Sequence, residues 1–245
     1  MRTSTKILIV TFALLLGCLA FYDIKLKTEY EKGDYTNPYY DFVNLGYKNF
    51  NAVELNSSTA VNIMLVQGPF KVMAAPQATD FLDIRKEGDR LIIGAKFPDH
   101  FRGISAVYAV YISCPSLASF KADAFYLAGK NKITDTAARD LSWRPTIISG
   151  FSCDTLKVEE DHAANLIFQN NRINHFTAVV GAGSGSGSAL TIGQNNKLSQ
   201  TDISIMNKSR LWIKGTDINN ISYRLADSAS VIINGAAAKH LLNLK

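Results

Sequence analysis

The sequence predicts an all-β protein built as a β-solenoid, carried behind an N-terminal transmembrane or signal-anchor helix. Three observations lead there. A short apolar pattern recurs through the last third of the chain, punctuated by Asn, Gly and Ser. An uncharged run, ILIVTFALLLGCLAFY, fills Ile7 to Tyr22. From Phe50 onward, apolar and polar residues alternate in short runs bounded by turn residues, which is the signature of half-buried strands.

The anchor comes first in the chain. Arg2 and Lys6 precede the apolar run, and a flank of mixed sign, Asp23 to Lys32, follows it. The run is short of the ~20 residues that a spanning helix wants, yet longer than the usual core of a cleaved signal. The positive-inside rule leaves residues 1–6 in the cytoplasm and sends the body outward. Three readings fit: an uncleaved signal anchor over 7–22, a lipoprotein signal, or a cleaved secretory signal. For the second, Leu15-Leu16-Gly17-Cys18 resembles a lipobox with Cys18 as the lipidated residue, although Leu16 is unusual before the Gly. The third lacks a clear small-x-small site. All three place the body outside the cytoplasm. The expectation is a single-pass inner-membrane anchor with a periplasmic body, and the alternative is a lipoprotein.

Residues 23–49 form a Tyr-rich spacer (Tyr30, Tyr35, Tyr39, Tyr40, Tyr47) in which Asn37-Pro38 ends any helix. At 245 residues, one folded domain plus an anchor is the natural count. With 47% hydrophobic and 19% charged residues, the chain can bury a sizeable core and is not disordered. The net charge of +5 comes from Lys and Arg spread singly. That excludes the clustered basic footprint of a nucleic-acid binder. Of three cysteines, Cys18 lies in the apolar run, so Cys114 and Cys153 are either a disulfide or two buried thiols.

The body is assigned to residues 50–241. Strands are expected at Phe50–Leu55, Ala60–Val66, Lys71–Ala75, Phe81–Ile84, Leu91–Ala95 and Val107–Ser113, with a turn at Gly88-Asp89. Further on, Leu166-Ile167-Phe168, Leu190-Thr191-Ile192, Leu211-Trp212-Ile213 and Val231-Ile232-Ile233 recur at roughly 20 to 24 residues, within the range of solenoid repeats. Each follows a second strand: Leu156–Val158, Phe176–Val180, Ile203–Ile205 and Ile221–Leu225. Stacked coils would pile identical positions into one core, and Asn or Gly would turn the corners. An antiparallel sandwich with polar turns would also show short strands at regular intervals. The run Gly181 to Ser188, GAGSGSGS, reads as a wide corner rather than a flexible linker, because strand material resumes in phase beyond it.

Val66-Gln67-Gly68, Asp89-Arg90-Leu91-Ile92-Ile93 and Tyr111 through Ala124, continued by the Ser/Gly/Asn-rich repeats, resemble the bacterial head GIN domain family, also described as candidate autotransporter-adhesin head domains. The resemblance covers roughly Phe50 to Gly235 and departs from the family pattern between Lys130 and Ser149, at Trp143-Arg144-Pro145. It implies a single-stranded right-handed parallel β-helix in a bacterial cell envelope, with no catalytic residue.

Little chemistry is written in the side chains. His100, His162, His175 and His240 are isolated, and there is no HExxH. The Gly/Ser run matches neither G-x-S-x-G nor G-x-G-x-x-G. The acidic run Glu159-Glu160-Asp161-His162 should alternate faces and reads as a solvated turn. Asp-Ser/Thr-apolar sequences make Thr136, Thr155 and Ser228 candidate O-glycosylation sites. Trp212, Arg210 and Asn195 are the candidate surface contacts, with Asn170 and Lys208 beside them. No catalytic residue, cofactor or metal ligand is assigned. The expected function is a non-catalytic structural or adhesive module with a membrane, a glycan or an envelope protein as partner and no nucleic acid. A polysaccharide-cleaving β-helix enzyme and an envelope sensor subunit are the alternatives.

Overall fold

The computed structural model describes residues 2–98, 109–136, 145–214, 217–235 and 237–238. His100, Val107, Trp143, Arg144 and His240, named above, lie outside them. The chain divides into two compact units, Met1–Asp41 and Phe42–Lys245.

In the first unit, helix α1 (Thr3–Glu31, 29 residues) buries none of its side chains. Its apolar run contains no Pro, so every backbone N–H inside it finds its i−4 carbonyl. The Thr11 and Thr28 hydroxyls donate back to the Ile7 and Ile24 carbonyls at 3.0 and 2.9 Å, which hides two polar groups on the helix itself. The helix ends at Gly33, whose φ of 72° only Gly adopts readily. It therefore runs nine residues into the predicted spacer, because Asp23 to Glu31 contains neither Gly nor Pro.

The second unit is built mainly of β-strands, with one 3-10 turn at Pro76–Ala78 and a helical turn at its described C-terminal residues. Its strands are β1 (Val43–Asn44), β2 (Ala52–Leu55), β3 (Ile63–Gln67), β4 (Lys71–Ala74), β5 (Leu82–Glu87), β6 (Arg90–Phe97), β7 (Val110–Cys114), β8 (Ser119–Ala122), β9 (Phe125–Ala128) and β10 (Asn131–Thr134). They continue as β11 (Thr146–Ser149), β12 (Ser152–Glu160), β13 (Asn165–Gln169), β14 (Arg172–Val180), β15 (Ala189–Ile192), β16 (Lys197–Ile205), β17 (Arg210–Ile213), β18 (Asp217–Leu225) and β19 (Ser230–Ile233). Two sheets result. One has nine strands in the order β1-β4-β7-β3-β11-β13-β15-β17-β19. The other has ten, in the order β10-β9-β6-β2-β8-β12-β14-β16-β18, with β5 paired to β6.

This architecture overturns the single-stranded right-handed parallel β-helix. Both sheets are large and mixed: β1 with β4, β4 with β7, β5 with β6, and β9 with β10 pair antiparallel. The chain also inserts β3 between β7 and β11, out of sequence order. The fold is sandwich-like, with the core between two sheets. The misreading has a physical cause. A repeat of 20 to 24 residues with period-two alternation requires only that equivalent positions stack. A chain that alternates between two sheets meets that requirement as well as a coil does. The aligned triplets do pair in register, Leu166 with Leu190, Leu190 with Leu211, and Leu211 with Val231.

Alternation along each strand fills the core. Leu65, Ile112, Phe168, Leu190 and Leu211 from the nine-stranded sheet, and Val53, Leu91, Phe120, Phe176 and Ile203 from the ten-stranded one, are buried in one continuous cluster. Phe168 and Phe176 stack with ring centroids 4.8 Å apart, joining the two sheets directly.

The corners carry the polar residues. Asn170, Asn195 and Asn207 all have positive φ, a conformation Asn tolerates. Asn171 and Asn196 are buried and bonded to each other, and the amide of Asn196 also donates to the Phe168 carbonyl at 2.7 Å. Gly181–Ser188 is a packed corner between β14 and β15. Ser186 and Ser188 are fully buried, and both hydroxyls donate to the His162 carbonyl at 3.0 Å.

Candidate functional site

On the ten-stranded sheet, β6, β2, β8 and β12 run side by side and parallel. Register places Arg90, Ala52, Ser119 and Lys157 in one row across the four strands. Two residues further along, Glu54, Lys121 and Glu159 form the next row. The intervening residues Val53, Phe120 and Val158 point into the core, so period two sends these two rows to the outer face. Ala52 and Ser119 have little side chain, and large neighbours stand around them. The result is a groove of about 270 Å³.

Its charges are partly matched. The Arg90 guanidinium lies 3.0 Å from a Glu54 carboxylate oxygen, and the Lys157 ammonium 2.7 Å from Glu159. Lys121, directly between the two glutamates in register, makes no ion pair among the described residues. The lining thus offers three cations, two carboxylates and the Ser119 hydroxyl, a mixture of donors and acceptors with one positive charge to spare. Glu54 and Glu159 are two strands apart, roughly 10 Å along the sheet.

A second polar cluster forms where β8 and β12 end. His162, with a φ of 52°, brings Nδ1 to 2.6 Å from Asp123. The Asp161 carboxylate accepts from the His162 and Gly183 backbone N–H groups at 2.7 and 2.9 Å. A Cβ on Gly183 would stand 2.5 Å from that carboxylate, so a larger residue there would displace the Asp161 side chain from its bond to the Gly183 N–H. Ser186 and Ser188 reach the His162 carbonyl and not its ring. This arrangement locks a turn, and it presents no hydroxyl to the imidazole for nucleophilic chemistry. No group of three or more His, Cys, Asp or Glu side chains able to hold a metal occurs among the described residues.

Glu160 differs from the solvated turn that the sequence suggests for its run. It closes β12 with its side chain in the core, aligned with Ala122 and Val180, and neither carboxyl oxygen has a hydrogen-bond partner. Burial pushes its carboxyl well above the usual carboxylate range.

The residues singled out from sequence fall in separate places. Trp212 stands outward between the buried Leu211 and Ile213, with its indole N–H donating to Asn234 at 2.9 Å and the Lys214 ammonium 3.8 Å from its ring centroid. Arg210 shares its strand face. Asn195 sits in a corner, and its amide donates to Asn170 at 3.1 Å. Thr136, Thr155 and Ser228 are exposed. Cys18 is exposed on α1, and Cys114 and Cys153 are free thiols on different sheets. Burial pushes the Cys114 thiol up to about 12. None of these residues lines the groove. Its lining escaped sequence reading because β6, β2, β8 and β12 are adjacent only through a strand order that the sequence does not display.

No family model matches the chain, and no curated protein matches its sequence. Solved structures similar to it include a candidate adhesin from Parabacteroides merdae (9% identity, TM-score 0.37, 79% of this chain and 95% of that one). A candidate adhesin from Bacteroides fragilis follows (11%, 0.39, 79% and 96%), as does a candidate lipid binding protein from Parabacteroides distasonis (10%, 0.35, 79% and 96%). Likenesses at these scores neither fix the fold of this chain nor assign it a function.

Proposed function

We propose that the chain is a membrane-tethered, non-catalytic module of the bacterial cell envelope that acts by structure or adhesion. The observation that carries this reading is α1. It is a 29-residue helix, long and apolar enough to cross a membrane, with no side chain buried in the protein. So much apolar surface is costly in water and is satisfied in a bilayer. The body it carries is a two-sheet β unit whose outer face offers polar side chains to a partner. The periplasmic placement, the anchor or lipoprotein fate of Cys18, and modification at Thr136, Thr155 and Ser228 belong to the same proposal.

Fractionation tests it. The full chain is expected to sediment with membranes, resist alkaline carbonate and dissolve in detergent, and protease added to spheroplasts should digest the body. Recovery in the soluble cytoplasm would defeat the reading. The mass of the membrane-bound protein separates the two anchors: an intact N-terminal helix marks a helix anchor, and a chain that begins at an acylated Cys18 marks a lipoprotein. The intact mass of the purified protein reports any O-glycan.

A second reading, polysaccharide cleavage, draws on Glu54 and Glu159 lining one groove. Glycosidic chemistry needs one protonated carboxyl facing a second one across the scissile bond. Here each carboxylate is held by a cation, and Lys121 stands between them. Turnover of polysaccharide that disappears in Glu159→Gln would establish this reading against the first.

A further inference from the structure

We infer that the groove over β2 and β8 is a binding site for an acidic saccharide, a sugar chain bearing carboxylates. This inference rests on the binding-module reading above and names its ligand class. The floor, Ala52 and Ser119, is flat and small, so a ring can lie against the sheet without a side chain in its way. Arg90 and Lys157 bound that floor at the two ends of one register row. They stand three strand spacings apart, roughly 14 Å, so the groove is elongated across the strands and suits a chain of rings more than a compact ion.

The polar lining fits sugar chemistry. Glu54 and Glu159 keep free lone pairs beyond their single ion pairs, since a carboxylate has about four acceptor sites. They can accept from ring hydroxyls, while the Ser119 hydroxyl both donates and accepts. A purely anionic ligand such as polyphosphate would meet two carboxylates and gain little, because each cation it sought is already shared. A neutral sugar would leave Lys121 unmatched. A uronate places one carboxylate on Lys121 and its hydroxyls on the glutamates, which matches the net single positive charge of the lining.

The test uses the full chain in detergent micelles and titrates oligogalacturonate, oligoalginate, methyl-esterified oligogalacturonate and polyphosphate by calorimetry. At least one uronate oligomer is expected to bind, the ester about tenfold more weakly or worse, and polyphosphate not at all. Lys121→Ala should weaken uronate binding by about tenfold or more, the scale of one lost charge-assisted contact. Ser119→Leu, which fills the floor, should abolish binding with the thermal midpoint kept within a few degrees. Equal binding of ester and acid would overturn the inference, as would binding by polyphosphate alone, an indifferent Lys121→Ala, or silence from both uronates. The fractionation above reads the tether independently, so a protein that is membrane-bound yet silent in calorimetry loses its ligand class and keeps its envelope reading.

Discussion

Glu160 is the residue at which this chain departs most from ordinary packing. A carboxyl in the core without a hydrogen-bond partner is held protonated, because charging it there would forfeit its hydration. Its folded state therefore binds a proton that the unfolded chain releases above about pH 4.3. Stability from this group is complete below that pH and is lost as pH rises toward the raised folded value. Thermal melts should show the native protein losing more stability with rising pH than a Glu160→Leu variant does. At neutral pH that variant should be more stable by about 1–3 kcal/mol, having lost an unsatisfied polar group. Asn196 is the opposite case, a buried polar residue with its bonds made. Asn196→Ala leaves the buried Asn171 backbone N–H without its acceptor and takes one of two donors from the Phe168 carbonyl, and denaturant titration should show a loss of about 1–3 kcal/mol.

Elements set the next scale. The corner from Gly181 to Ser188 is a composition that would make a linker elsewhere, yet it is fixed by hydrogen bonds to Asp161 and His162. Gly181 is the residue that allows this. It has a φ of 80°, and a Cβ there would meet the Met206 carbonyl at 2.8 Å. Gly181→Ala is expected to destabilise the body by about 2 kcal/mol or more, through both backbone strain and the clash, as a lowered denaturation midpoint would report. Helix α1 is sensitive in a different medium. An Arg in place of Leu14, in the middle of its apolar run, costs about 2.5–3.5 kcal/mol at a bilayer centre and should reduce carbonate-resistant membrane protein without changing the melt of the body.

At the scale of the whole molecule, the two sheets of the second unit share one core, with Phe168 and Phe176 stacked between them. Neither sheet keeps its apolar face covered without the other, so this unit should unfold in one cooperative transition. Phe168→Ala opens a cavity at the contact between the sheets. Calorimetry should show a single transition displaced downward, with a loss of about 3–5 kcal/mol. Two separate transitions would mean that the β1–β10 half and the β11–β19 half are independent.

The sequence by itself determined the apolar N-terminal helix, the β-strand composition of the body and the in-register stacking of the repeats. Each rests on local information: an uncharged apolar run, period-two alternation, and Asn or Gly where the backbone turns through positive φ. The outward placement of Trp212 between Leu211 and Ile213 is equally local. Whether the stacked strands close into one coil or divide between two sheets is not written in alternation, since both arrangements bury every second residue. Tertiary structure decided it, through antiparallel pairs in the first half and the insertion of β3 between β7 and β11. The same holds for the groove. Glu54, Arg90, Lys121 and Glu159 lie far apart along the chain, and only the order of strands brings them to one face. Asp123 and His162, 39 residues apart, meet for the same reason. Glu160 is the limiting case: its neighbours in sequence are acidic and polar, and its burial follows from the face of β12 on which the register places it.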